Sequence, residues 1–289
     1  MDGKMIKKKI KKQHTKRKIF RQQVQRELKE NRSSFIVFMV LRLLVVVAAV
    51  RQLMLRNYEG FFLCCLTILL LYLPSMVQVR FNCDIPPSLE IIIFIFIFAA
   101  EILGEINAFF IRIPFWDDIL HTISGFLNAA IGLSLVLMLN NRRKFQFHLS
   151  PIFVALFSFC FSMTISVLWE FYEYAFDMIF HTDMQKDTVI QAIYSTRLDP
   201  TMTNTVISIS DIRETVVNGQ RLNIEGYLDI GLIDTMMDLF VNMVGAIVFS
   251  IMGFFYAKSE GKEQRSIEKL MLWLKSAEKK QNEGCNECR

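Results

Sequence analysis

The chain has 289 residues, 53% of them hydrophobic and only 21% charged, with a net charge of +5 and a positive mean hydropathy. Soluble domains average about 45–50% apolar and about 25% charged residues, and here the apolar residues are bunched rather than spread, which excludes a soluble enzyme. The grouping also argues against an outer-membrane barrel, whose strands would alternate over about ten residues.

In chain order, residues 1–34 form a basic arm with thirteen Lys or Arg against Asp2, Glu27 and Glu30. It directly precedes an apolar run, so it reads as a cytoplasmic anchor under the bias of Lys and Arg toward the inside, and no nucleic-acid partner is expected. Six apolar runs follow, at 35–55, 61–79, 89–111, 115–139, 151–180 and 229–256, together about half the chain. A helix crosses a bilayer with about 20 apolar residues. The runs predict an all-α polytopic bundle of about six transmembrane helices with both termini cytoplasmic. Arg42 interrupts the first run and no small-residue cleavage site follows it, so the run reads as a span rather than a signal peptide. About two turns from the inner end, Arg42 is placed to snorkel to the headgroups.

Between the fifth and sixth runs lies the segment 181–228, expected outside the cell, with four basic and six acidic residues and no cysteine. Within it Asn218-Gly219 separates two short apolar stretches, the signature of a two-residue hairpin. The stretch 187–194 is compatible with a short helix. After the last run, the tail 257–289 carries Ile267, Leu270, Met271, Leu274 and Ala277 at helical spacing, which predicts an amphipathic helix on the inner membrane surface. Cys285 and Cys288 form a lone C-x-x-C, half a zinc site at most.

The residues that carry chemistry lie inside the runs. The third has Glu101 and Glu105. The fourth opens with Trp116, Asp117 and Asp118 and continues to His121, Ser124, Gly125 and Asn128. The fifth has Ser158, Ser162, Ser166, Glu170, Glu173 and Asp177, and the sixth Asp234, Asp238, Asn242 and Gly245. Spacings of three and four put each set on one helix face. With 1.5 Å per residue, Glu105, His121, Glu173 and Asp234 fall about 7–11 Å below the outer helix ends, and Glu101, Glu170 and Asp238 about 13–15 Å below them. A charge at the bilayer centre costs about 2.5–3.5 kcal/mol even on the lenient insertion scale, so such a layer is first read as functional.

Carboxylates with one imidazole suit a divalent cation such as Mg²⁺, Ca²⁺, Mn²⁺ or Zn²⁺. The sequence assigns Asp117, His121, Glu173 and Asp234 as ligands, Glu170 or Asp238 as base, and Glu101, Glu105, Ser166 and Asn242 to the same pocket. The expected substrate is a lipid or lipid-linked headgroup reached from outside. The alternatives are a cation- or proton-coupled transporter, an envelope scaffold, or interhelical glue without chemistry.

At "WDDILHTISG", "SVLWEFYE" and "DTMMDLFVNMVGA" the chain resembles the uncharacterised bacterial inner-membrane family that includes YjdF. It is similar, more distantly, to the VanZ-like family. The latter shares Asp-x-x-x-His, Ser-x-x-x-Glu and Asp-x-x-x-Asn-x-x-Gly in that order, matched here by Asp117/His121, Ser166/Glu170 and Asp238/Asn242/Gly245. Glu173 stands where VanZ-like chains tend to have Gln, and the segment 181–228 is far longer. The resemblance implies a bacterial inner-membrane location and supports the site, but supplies no activity.

Overall fold

A computed structural model of the chain describes residues 32–81, 83–140 and 149–259, together with positions 267, 270, 271, 273 and 274. Most of the basic arm, the loop with Arg142, Arg143 and Lys144, and the Cys285/Cys288 pair lie outside the described residues. Five helical stretches among the described residues are long and apolar enough to cross a membrane: Arg32–Met54, Tyr58–Arg80, Trp116–Leu139, Pro151–Phe180 and Leu232–Lys258. The chain separates into two compact units, one of residues 1–116, 137–146 and 259–289 and the other of 117–136 and 147–258.

In the first unit, α1 (Arg32–Met54) packs on α2 (Tyr58–Leu70) and α4 (Pro87–Phe98), burying Val45, Ala49, Cys64, Leu71, Phe94 and Ile97. Asn57 caps α2 by accepting the amide N–H of Gly60 at 3.0 Å. Pro74 follows the break after Leu70, because proline cannot donate to the turn before it, and α3 (Leu73–Phe81) continues the span. Arg42 stacks over the Tyr72 ring at 5.2 Å.

The third apolar run is helical in segments rather than one continuous helix. After α4 the backbone widens into a π-helix over Ala99–Ile106 and then forms a single turn, α5 (Phe109–Arg112). Asn107 causes the break: its backbone N–H (3.1 Å) and its side-chain amide (2.9 Å) both donate to the Ile102 carbonyl, ending the ladder there. Ala108 then turns left-handed at φ 56°.

Trp273–Leu274 (β8) pairs antiparallel with Cys83–Asp84 (β1). The amphipathic helix expected through Ala277 therefore does not run unbroken. An extended pairing replaces it at Trp273, and Ala277 lies outside the described residues.

The second unit holds the body of α6 (Trp116–Asn140), α7 (Pro151–Phe180) and α8 (Leu232–Lys258). Ser150 caps α7 by accepting the Phe153 N–H, with Pro151 in the first turn where a missing N–H costs nothing. The buried stripe of α7 is Val154, Ser158, Ser162, Ser166, Glu170 and Glu173. That of α8 is Asp238, Asn242, Gly245, Ala246, Phe249, Ser250, Gly253 and Tyr256. The opposite faces of α7 and α8 carry exposed Leu, Ile, Val, Phe and Met, as lipid-facing surfaces do.

Between α7 and α8 the chain forms three small antiparallel pairs. They are β2 (Thr188–Ile190) with β7 (Tyr227–Asp229), β3 (Ile193–Ser195) with β4 (Ile207–Ile209), and β5 (Val216–Val217) with β6 (Gln220–Arg221). Asn218 (φ 52°) and Gly219 (φ 79°) turn the last hairpin, both left-handed as a type I′ turn requires. The stretch 187–194 holds β2 and the start of β3, joined by an irregular turn, rather than a helix. Thr188, Val189, Ile190 and Ile193 are β-branched and find cross-strand partners that a helix in this short segment would lack.

Candidate functional site

Two glycines set the geometry of the α6–α8 crossing. A Cβ on Gly125 would stand 2.1 Å from the Asn242 carbonyl oxygen, and one on Gly245 would stand 2.0 Å from the Thr122 carbonyl oxygen. Only residues without a side chain permit this reciprocal contact, the small-residue approach common between membrane helices. It brings the Asp117/His121 face of α6 against the Asp238/Asn242 face of α8. Hydroxyls tie α7 to α6: Ser162 Oγ donates to the Gly125 carbonyl at 2.8 Å, and Ser158 Oγ donates to that of Ala129.

Above this seam the polar groups change character. His121 Nε2 lies 3.4 Å from Asp117 Oδ1 and 3.7 Å from Asp238 Oδ2, while Nδ1 lies 3.9 Å from Glu170 Oε1. Ligating atoms of Asp117, His121 and Asp238 all fall within 4.8 Å of one another, and so do those of Glu170, Glu173 and Asp238. Glu170 is 4% exposed and Asp238 2%. Both Glu170 oxygens and Asp238 Oδ2 are buried without a hydrogen-bond partner. The polar side chains of Gln185 and Thr235, bonded to each other, stand beside the Glu170 carboxylate. Glu173 Oε1 accepts from Trp169 Nε1 at 2.9 Å.

Two carboxylates about 4 Å apart repel by about 4 kcal/mol even at an effective dielectric constant of about 20. Four of them near a single imidazole would, once ionised, attract a cation strongly. The imidazole and carboxylates together form a donor set of the kind that holds divalent metals.

The other sequence-selected residues are held as follows. Asp234 Oδ2 accepts the Lys186 N–H at 2.8 Å, so its carboxylate fastens the start of the 181–228 segment to α8. Asp177 does the same from α7, accepting from Thr182 Oγ1 (2.7 Å), Met184 N (2.7 Å) and Gln185 N (2.9 Å). Ser166 is buried, and Asn242 donates to Met163 Sδ at 3.7 Å. Glu101 and Glu105 belong to the first unit, on the π-helical stretch, where Glu105 is exposed and Glu101 half-buried. Sequence reasoning gave no role to Gln185 or to the Lys186 amide. Both come from a polar segment with no motif of its own and reach α8 only through tertiary folding.

Helices of this length and apolarity, with ionisable groups turned inward on three of them, define a polytopic helical membrane protein with a buried Asp/Glu/His cluster. The chain belongs to the family described as "Predicted membrane protein (DUF2238)", whose model matches residues 35–259 and so takes in all five candidate spans almost entirely and the whole cluster. No curated protein and no solved structure gives a match.

Proposed function

We propose that the cluster is an intramembrane divalent-cation site opening to the extracytoplasmic side of a bacterial inner membrane. In this reading it serves a lipid or lipid-linked headgroup as a metal-dependent enzyme or binding site. The observation that carries the reading is the contrast along α7. Ser158 and Ser162 are spent on helix carbonyls, whereas Glu170 is buried with both oxygens unpartnered. Glue would be hydrogen-bonded; a ligand waits for its ion. Asp117, His121 and Asp238 are the leading ligands, with Glu170 and Glu173 beside them. Asp234, committed to the Lys186 amide, positions the segment above rather than binding the ion.

Below the cluster Ser158 and Ser162 donate to helix carbonyls and no further carboxylate continues the stripes of α7 and α8, which favours a site open at one end over a transport path. The motif resemblance to the YjdF-containing and VanZ-like families supports a shared site and adds no activity.

Elemental analysis of the protein purified in mild detergent tests the reading. Wild type is expected to carry a stoichiometric divalent metal that His121→Ala loses or holds at a reduced level. Wild-type protein free of metal, and unable to take up Mn²⁺ or Zn²⁺ when these are supplied, would defeat it.

A further inference from the structure

The donors form two groups, and the two share one residue. Asp117, His121 and Asp238 make the first; Glu170, Glu173 and Asp238 make the second. Asp238 comes from α8, between the α6 and α7 contributions, and its Oδ2 is buried and unpartnered. Independently of the clustering, Glu170 is more than nine-tenths buried with neither oxygen hydrogen-bonded, and it faces the same volume.

We infer that this site holds two divalent cations bridged by the Asp238 carboxylate. The inference rests on the divalent-cation reading above and deepens it. Charge points to a pair: ligands must be deprotonated to bind, and Asp117, Glu170, Glu173 and Asp238 so ionised would place four negative charges around the His121 imidazole. One divalent ion would leave two of those charges uncompensated among apolar helices, which is unfavourable in a membrane. Two ions neutralise the set.

Geometry points the same way. Paired metals that share ligands sit about 3.5–4 Å apart, and two donor groups that each fit within 4.8 Å and join at one carboxylate have that scale. Each ion would draw three protein donors, leaving coordination positions for water or for the oxygens of an anionic headgroup. Oxygen-rich donors of this kind favour hard ions such as Mg²⁺ or Mn²⁺.

The test loads the full chain in detergent with Mn²⁺, removes excess by gel filtration, and reads manganese per chain together with the electron paramagnetic resonance spectrum. Wild type is expected to hold two Mn²⁺ with the spectrum of a spin-coupled pair. His121→Ala and Glu173→Gln should each keep one, with the hyperfine pattern of an isolated ion. Asp238→Asn should weaken both sites by at least about tenfold, the lower end of what even outer-shell partners of a metal site contribute. Should Asp238→Asn fail to fold, the other two variants still decide. One Mn²⁺ per chain in wild type, lost in both variants, overturns the bridged pair and leaves a single-ion site standing. Two uncoupled ions also overturn the bridge. No manganese above a detergent blank defeats the cation reading itself, and the pair with it.

Discussion

Ser162 and Glu170 lie on one face of α7 and meet opposite circumstances: the hydroxyl has a carbonyl to donate to, whereas neither carboxylate oxygen has a hydrogen-bond partner and His121 Nδ1 stands 3.9 Å from Oε1. An unpaired buried carboxylate is destabilising until something compensates it. Glu170→Gln is therefore expected to raise the thermal midpoint of the cation-free protein, measured in detergent with a chelator, while weakening Mn²⁺ uptake. A midpoint that falls in chelator would mean that Glu170 has a structural partner. Glu173→Gln and Asp234→Asn keep shape and most acceptors, so expression and midpoint should stay nearly unchanged. If both variants are degraded, the packing account of these residues gains. At this scale the sequence showed which helix faces are polar, because the helical period does that directly. It did not separate Asp238, inside the donor groups, from Asp234, whose partner Lys186 is 48 residues away.

At the scale of elements, the α6–α8 crossing depends on Gly125 and Gly245. A methyl group at either would meet a backbone carbonyl that cannot move aside, and overpacking of this kind costs about 1–3 kcal/mol. Gly125→Ala and Gly245→Ala should each lower the thermal midpoint. Gly253→Ala should change it much less, since its nearest neighbour is the Leu133 side chain at 3.2 Å. Equal tolerance of all three would contradict the crossing.

In the segment after α7, Asp199 gathers the Thr201 hydroxyl and the N–H groups of Thr201, Thr203 and Thr205, which hold its carboxyl well below the usual carboxylate range. A carboxyl depressed on folding stabilises above its unfolded value of about 3.9 and loses that contribution as pH falls toward the folded value. Pepsin cleavage within 199–205, scaled to an unfolded control peptide, should stay slow near pH 4 and accelerate below it. Asp199→Ala should remove that dependence. The Asn218-Gly219 hairpin was legible because its turn chemistry is local. The strands at 188–190 and 193–195 were not, because their partners, 227–229 and 207–209, lie far along the chain. Likewise the change to a π-helix within the third run was not legible, because hydropathy does not register the double hold of Asn107 on the Ile102 carbonyl.

For the whole molecule, five long runs were legible to within a few residues of the observed spans, since a bilayer-length apolar stretch has few other uses. Orientation rests on the distribution of Lys and Arg. A cysteine at Asn218 should react with a membrane-impermeant maleimide in intact cells and one at Asn141 should not; labelling at Asn141 alone would move the cluster to the cytoplasmic side. The proposed cation site requires three helices to bring their acids and one imidazole together. Anomalous diffraction at the manganese edge, from crystals grown with Mn²⁺, tests it most directly. Manganese density is expected within about 2–2.6 Å of both the His121 imidazole and the Asp238 carboxylate. Well-ordered helices with no anomalous peak there, or with His121 and Asp238 turned apart, would contradict it.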